Sequence, residues 1–210
     1  MGGFFITFEG TDGSGKSTQI ELLNKYFTEN GYESLVVREP GSTPIGEKIR
    51  DIIIDKENKD MGHITEALLY AAARAQLVEK VIVPALRNGK IVISDRFLDS
   101  NVAYQGYGRN LGEDVIKDIN KYAVNSLEPD VTFFLKTDPE ECMKRMDSTR
   151  ELDRLESEKA YFHKKVYEGY INIAEENKER VVVLEGRDTI ENIHQSIVSH
   201  LKNIYKARSI

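Results

Sequence analysis

At 210 residues, with 29 basic against 35 acidic side chains and a net charge of −6, the chain can bury one sizeable core over residues 1–210 but offers no general surface to nucleic acid or an anionic membrane. Its single cysteine, Cys142, excludes an internal disulfide, and its 4 histidines, at positions 63, 163, 194 and 200, show no metal-ligand spacing. No basic-then-apolar leader precedes the first apolar run, and no run approaches the roughly 20 residues that cross a bilayer, so a cytoplasmic location is expected.

Residues 4–8 read as a buried strand and residues 18–29 as a helix. Between them lies Gly10-Thr11-Asp12-Gly13-Ser14-Gly15-Lys16-Ser17-Thr18, which fits the phosphate-binding pattern GxxxxGK[ST] in its required strand–loop–helix context. Glycines at 10, 13 and 15 open backbone angles closed to other residues, so successive N–H groups can wrap a phosphate while the helix aims its positive end at it. Lys16 can reach the outer phosphates, and the Ser17 hydroxyl is placed to ligate Mg²⁺.

A second apolar run at 35–37 leads into Arg38-Glu39-Pro40-Gly41-Ser42-Thr43-Pro44, a sharp charged turn before a helix carrying Arg50. Such a turn is either ligand-facing or simply solvated. A long helical pattern over 63–86, with Pro84 near its end, puts Tyr70 and Arg74 on one face, where ring and guanidinium suit either a nucleobase or plain surface packing. The third run, 91–94, opens into Asp95-Arg96-Phe97: Asp95 can hold hydrated Mg²⁺ and Arg96 a phosphate, or the two can form a structural ion pair. Ser100 to Arg109, including Asn101, Tyr104 and Gln105, offers amides and hydroxyls near the same strand end, with glycines that suit a loop or broken helix.

Residues 131–135 give a fourth strand. Asp138-Pro139-Glu140-Glu141 then combines an N-cap, a proline at the first helical position and a Glu three residues on. The charged segment 145–158 follows, either a solvated connection or a lid whose closure would exclude water from a phosphoryl transfer. A fifth strand at 181–184 precedes a capping box of Asp188 with Glu191. Strands apolar on both faces, alternating with helices, predict one doubly wound α/β domain: five parallel strands flanked by helices, with a small lid at about 147–157 and ligands beyond the carboxyl ends of the strands.

Together these segments resemble the thymidylate kinases, a family of P-loop nucleoside-monophosphate kinases, over residues 5 to about 189. The shared features are the phosphate loop with Asp12 at its third position, Arg38-Glu39-Pro40-Gly41, Asp95-Arg96-Phe97, and Asn101 to Gly106 with its Tyr-Gln-Gly. The resemblance implies transfer of the γ-phosphate of ATP to dTMP, forming dTDP, with Mg²⁺ held by Ser17 and Asp95. Residues 10–18 would hold ATP. The dTMP set would be Asp12, Glu39, Arg50, Tyr70, Arg74, Arg96, Asn101, Tyr104 and Gln105. Within it Arg50 and Arg96 grip the phosphate, and Tyr70 stacks on thymine. Arg74, Asn101 and Gln105 meet the base edge, Asp12 meets the 3′-hydroxyl, and Tyr104 crowds the 2′ position. The family implies a homodimer, with neither nucleic acid nor membrane as partner. Ser42 departs from a frequent family glycine, altering the turn without removing a charge.

Some members carry a basic residue in the phosphate loop, where this chain has Gly13, and others supply it from the lid. That makes Arg150 or Arg154 the expected catalytic arginine, beside Lys16, Arg96 and Asp12. Charge spreads over the transferring group's oxygens, so alignment and cations do most of the work, and the acceptor phosphate needs no strong base. Three rival readings stand beside it: another small P-loop nucleotide or deoxynucleoside kinase, a nucleotide-dependent switch, and a nucleotide-binding protein without catalysis, against which stand the intact Lys16, Ser17, Asp95 and Arg96. Against a GTP-reading switch, Asn24-Lys25 is followed by Tyr26-Phe27 and Asn120-Lys121 by Tyr122-Ala123, so no Asn-Lys-x-Asp occurs.

Overall fold

The five apolar runs become strands in the computed structural model, which describes residues 2–146 and 151–207: β1 (Phe4–Glu9), β2 (Ser34–Arg38), β3 (Ile91–Asp95), β4 (Val131–Lys136) and β5 (Val181–Glu185). They form one sheet in the order β2-β3-β1-β4-β5, and every neighbouring pair runs parallel. The central strand β1 is buried at all six positions. Phe4, Ile6 and Phe8 face a core shared with α1 (Lys16–Glu29) and α9 (Ile190–Ala207). Phe5 faces the opposite layer, against Leu77, Val92 and Phe97. The outer strands depart from the expectation of burial on both faces, since Val36 is 42% and Val183 43% exposed. An edge strand has helix cover on only part of its surface, and its apolar sequence does not reveal that position.

The helix after β2, α2 (Pro44–Ile54), begins at Thr43, whose hydroxyl accepts from the Gly46 N–H at 2.9 Å. The pattern over 63–86 becomes α3 (His63–Leu77), a π-helical stretch (Val78–Ile82) and α4 (Val83–Arg87). Pro84 has no N–H to give and its ring would strike a carbonyl one turn back, so a widened turn accommodates it. The segment after β3 is α5 (Leu98–Asn101) running into a second π-helical stretch, Val102–Gly108, in place of the expected loop or broken helix. It packs on α8 (Ala160–Glu176). Between them come α6 (Glu113–Val124) and α7 (Pro139–Arg145), the latter capped as expected by Asp138, which accepts from the Glu140 N–H at 2.9 Å.

The cap of α9 lies one residue later than the Asp188–Glu191 pattern suggested. The Thr189 hydroxyl accepts from the Asn192 N–H at 3.2 Å, while the Asp188 carboxylate takes the Thr189 N–H and the Asn192 side chain, both at 2.8 Å. In the lid, residues 147–150 lie outside the described residues, 151–153 are irregular and 154–157 form turns. Asp153 nucleates them by accepting the N–H groups of Leu155 and Glu156 at 2.9 and 2.8 Å, and the Arg154 N–H reaches the Ile54 carbonyl at 3.2 Å, laying this stretch on α2. No helix among the described residues is long and apolar enough to cross a membrane.

Candidate active site

The phosphate loop leaves the carboxyl end of β1 with Gly10 at φ 139° and Gly13 at φ 83°. A Cβ at Gly10 would sit 2.8 Å from the Leu135 carbonyl, and one at Gly13 only 2.4 Å from that of Cys142, so both positions require glycine for space as well as angle. The Lys16 ammonium folds back over the loop and donates to the carbonyls of Gly10 and Thr11, each at 3.0 Å. Burial, then the nearby Arg96 charge, pushes Lys16 below its ordinary pKa, while Asp12, Asp95 and Glu9 act the other way. No acid stands in the first turn of α1, so the helix brings its positive end to the cleft without a carboxylate of its own.

Above the loop lies a cleft of about 330 Å³, lined by Gly13, Gly15, Lys16, Ser17, Thr18, Asp95 and Arg145. A smaller cavity adjoins it, lined by Tyr70, Ser100, Asn101, Tyr104, Gln105, Asp153 and Leu155. Asp12, Glu39, Arg50 and Arg96 line both. A molecule with an anionic end and a planar polar end could therefore lie in the smaller cavity with its anion at the shared wall, facing a second anion on the loop.

Arg96 is the centre of that wall. Its backbone is left-handed, with φ 72°, which turns the side chain off the end of β3. One terminal nitrogen donates to the Gly10 carbonyl at 2.8 Å, the Tyr170 hydroxyl at 3.0 Å and Ser100 Oγ at 3.2 Å, and the other to Asp12 Oδ1 at 2.7 Å. The guanidinium lies 5.2 Å from the centre of the Tyr104 ring. Burial alone would push the Asp12 carboxyl up, but Arg96 and then Lys16 hold it well below the usual carboxylate range. Arg50 donates to the Pro40 carbonyl at 3.2 Å, after a cis Glu39–Pro40 bond. Ser42, the departure from a frequent glycine, sits at φ 61° and bonds Arg38 and Glu47.

Three expected residues have other first partners. Arg74 lines neither cavity, because all five of its N–H donors are engaged by Glu39, Asn101, Asn120 and the Phe97 carbonyl. Glu39 is thereby a buried partner of Arg74, at 2.5 Å, as much as a wall residue. Arg154, expected at the phosphates, donates to the Ile53 carbonyl at 2.7 Å and pairs with Glu66 at 2.7 Å. Arg150 lies outside the described residues. Sequence reasoning missed Glu66, Arg109, Asn120 and the buried Glu9, which bonds the Phe97 N–H, Ser100 and Tyr170 beneath Arg96. A signal existed for Glu66: it stands four residues before Tyr70 and shares its helix face.

The family model described as thymidylate kinase matches residues 8–197. A thymidylate kinase of Thermoanaerobacter sp. (strain X514) is 50% identical over 202 residues, 96% of this chain and 98% of the relative. One from Caldanaerobacter subterraneus subsp. tengcongensis is 45% identical over 210 residues, the full length of both. A crystal structure of thymidylate kinase from Ehrlichia chaffeensis superposes with a TM-score of 0.78 at 33% identity, covering 96% of this chain and 99% of that one.

Proposed function

The chain belongs to the thymidylate kinase family, and we propose that it moves the γ-phosphate of ATP to dTMP, forming dTDP, across the wall shared by its two cavities. The observation that carries this assignment is that wall: Arg50 and Arg96 border both cavities, with Lys16 on the loop side alone. An acceptor phosphate gripped by two arginines would face the γ-phosphate with cations on both flanks, the arrangement a dispersed anionic transition state needs. Arg96 is already fixed by five partners, the Tyr104 hydroxyl at 3.4 Å included, so little order is lost when the phosphate arrives.

Residues 10–18 hold the ATP phosphates in this reading. Tyr70 stacks on thymine, Asn101 and Gln105 meet its edge, and Arg74 acts from behind by orienting Asn101. Asp12, kept ionised by Arg96, is an acceptor for the 3′-hydroxyl, and Tyr104 restricts the 2′ position. Mg²⁺ fits Ser17 and Asp95: both line the phosphate cleft, and Asp95 Oδ1 is buried with no hydrogen-bond partner among the described residues. Bound there, the ion would supply positive charge to the donor phosphates. A lid arginine, Arg150 or Arg154, adds charge in the closed complex.

The reading extends to a homodimer, supported by exposed Ile45 and Ile52 on α2 and Ile64 and Leu68 on α3, two helices that pack together. It also places the enzyme in the cytoplasm, whose reducing conditions suit the free thiol of Cys142. A coupled ADP-release assay over a panel of monophosphates tests the assignment. The expected order is dTMP, then dUMP, with little use of dCMP or purine monophosphates, and equal kcat/KM for dTMP and dCMP would refute it.

A further inference from the structure

Glu66 is fully buried on α3, touches neither cavity, and has no part in the chemistry described above. Its carboxylate takes four donors: Gln105 Nε2 at 2.8 Å, two nitrogens of Arg109 at 3.1 Å each, and Arg154 at 2.7 Å. Arg109 also pairs with Glu158 at 2.5 Å, so two anions and two cations balance in one quartet, buried at Glu66 and partly open at Glu158. Burial would push Glu66 up, yet Arg109, Gln105 and Arg154 hold it below its ordinary pKa, and an ionised carboxylate can only accept.

That restriction runs along the wall of the smaller cavity. Because Glu66 only accepts, Gln105 must turn its NH₂ toward it, leaving Oε1 to accept from Asn101 Nδ2 at 2.6 Å. Asn101 Oδ1 then faces Arg74 and Asn120, which donate to it at 3.0 and 2.8 Å. A carboxylate at one end and a guanidinium at the other thus fix both amides, since neither end group can reverse its role. What remains for a ligand is one N–H on each amide and one lone pair on Gln105 Oε1. With a donor set at O4 and the acceptor at N3–H this wall matches thymine or uracil, and the same placement opposes cytosine, which offers an amino group and an unprotonated N3 at those positions.

We infer that Glu66 is a positioning residue for substrate choice, setting the hydrogen-bond polarity of the Asn101–Gln105 wall from behind. This rests on the assignment of Gln105 to the thymine edge. In Glu66→Gln the amide oxygen is drawn to the side facing both guanidinium groups, which turns the new NH₂ against that of Gln105 and favours its inversion. The dTMP-to-dCMP ratio of kcat/KM should fall at least tenfold while the variant stays folded.

The test compares this ratio for Glu66→Gln, the charge-balanced Glu66→Gln/Arg109→Gln and Gln105→Ala, with urea unfolding of each. A ratio collapsed in all three supports the inference. If Gln105→Ala collapses it while the Glu66 variants keep it within twofold, lose both substrates alike, or do not fold, Glu66 is structural only and the inference is overturned. If Gln105→Ala leaves the ratio unchanged, the base-edge assignment has failed and the inference with it.

Discussion

Glu9 should make the stability of this enzyme fall as pH rises through neutrality. The side chain is 1% exposed at the end of β1, where burial and then the Asp99 charge push its carboxyl from 4.5 up to about 7, against the pull of Ser100, Arg96 and the Phe97 N–H. A folded-state value above the unfolded one means that the native protein holds the proton more tightly. The corresponding stability is complete below about 4.5 and lost as pH climbs through about 7. At roughly 1.4 kcal/mol per pH unit, the full effect is about 3 kcal/mol, of which about 2 to 3 kcal/mol is lost between pH 5 and pH 8. Glu9→Gln removes the titration while its oxygen can still accept the Phe97 N–H, and the hydroxyls of Ser100 and Tyr170 can rotate to accept from its NH₂. Urea unfolding from pH 5 to 8 should therefore show the variant gaining about 2 to 3 kcal/mol on the wild type with rising pH. A difference constant to within about 0.5 kcal/mol would refute the reasoning.

Lys16→Ala should remain folded at a cost of about 1 kcal/mol, since the Gly10 carbonyl keeps its Arg96 donor and the Thr11 carbonyl keeps the Ser14 N–H, and retain less than a tenth of wild-type turnover in the ADP-release assay. Arg154→Ala should act mainly on stability, by about 2 kcal/mol in urea unfolding, since its guanidinium is engaged by Glu66 and the Ile53 carbonyl. Arg150→Ala/Arg154→Ala should lose roughly 10³ in kcat with dTMP binding unchanged, and near wild-type kcat would leave the lid as a cover alone.

The parts of this molecule that depend on backbone were legible in its sequence, and those that depend on long-range pairing were not. The phosphate loop announces itself because only glycine meets the angles and clearances at 10 and 13, and the strands because parallel sheets demand unbroken apolar runs. Residues 35–37 read as apolar as the centre of β3 although β2 is an edge, because a strand's place in the sheet is decided by its neighbours. Glu66 looks like a solvated helix charge until Arg109 and Arg154, distant in sequence, arrive beside it. Arg74 shares a helix face with Tyr70, yet its five donors go to Glu39, Asn101, Asn120 and the Phe97 carbonyl, all distant in sequence. The shift of the α9 cap from Asp188 to Thr189 reflects two adjacent residues able to cap, with the choice made by local geometry.

The clearance of 2.4 Å between the Cys142 carbonyl and a Cβ at position 13 also bears on how such enzymes can change over generations. Cys142 belongs to α7, which leads directly into the lid segment. Volume alone therefore makes a side chain at position 13 incompatible with α7 as it stands. Adding an arginine at Gly13 first would force α7 outward, and if a lid arginine supplies charge as proposed, removing it first would leave the donor phosphates short of it. A lineage with this chain's architecture can exchange one source of charge for the other only after α7 has tilted or shortened, so the two solutions should be separated by a remodelled helix rather than by single substitutions.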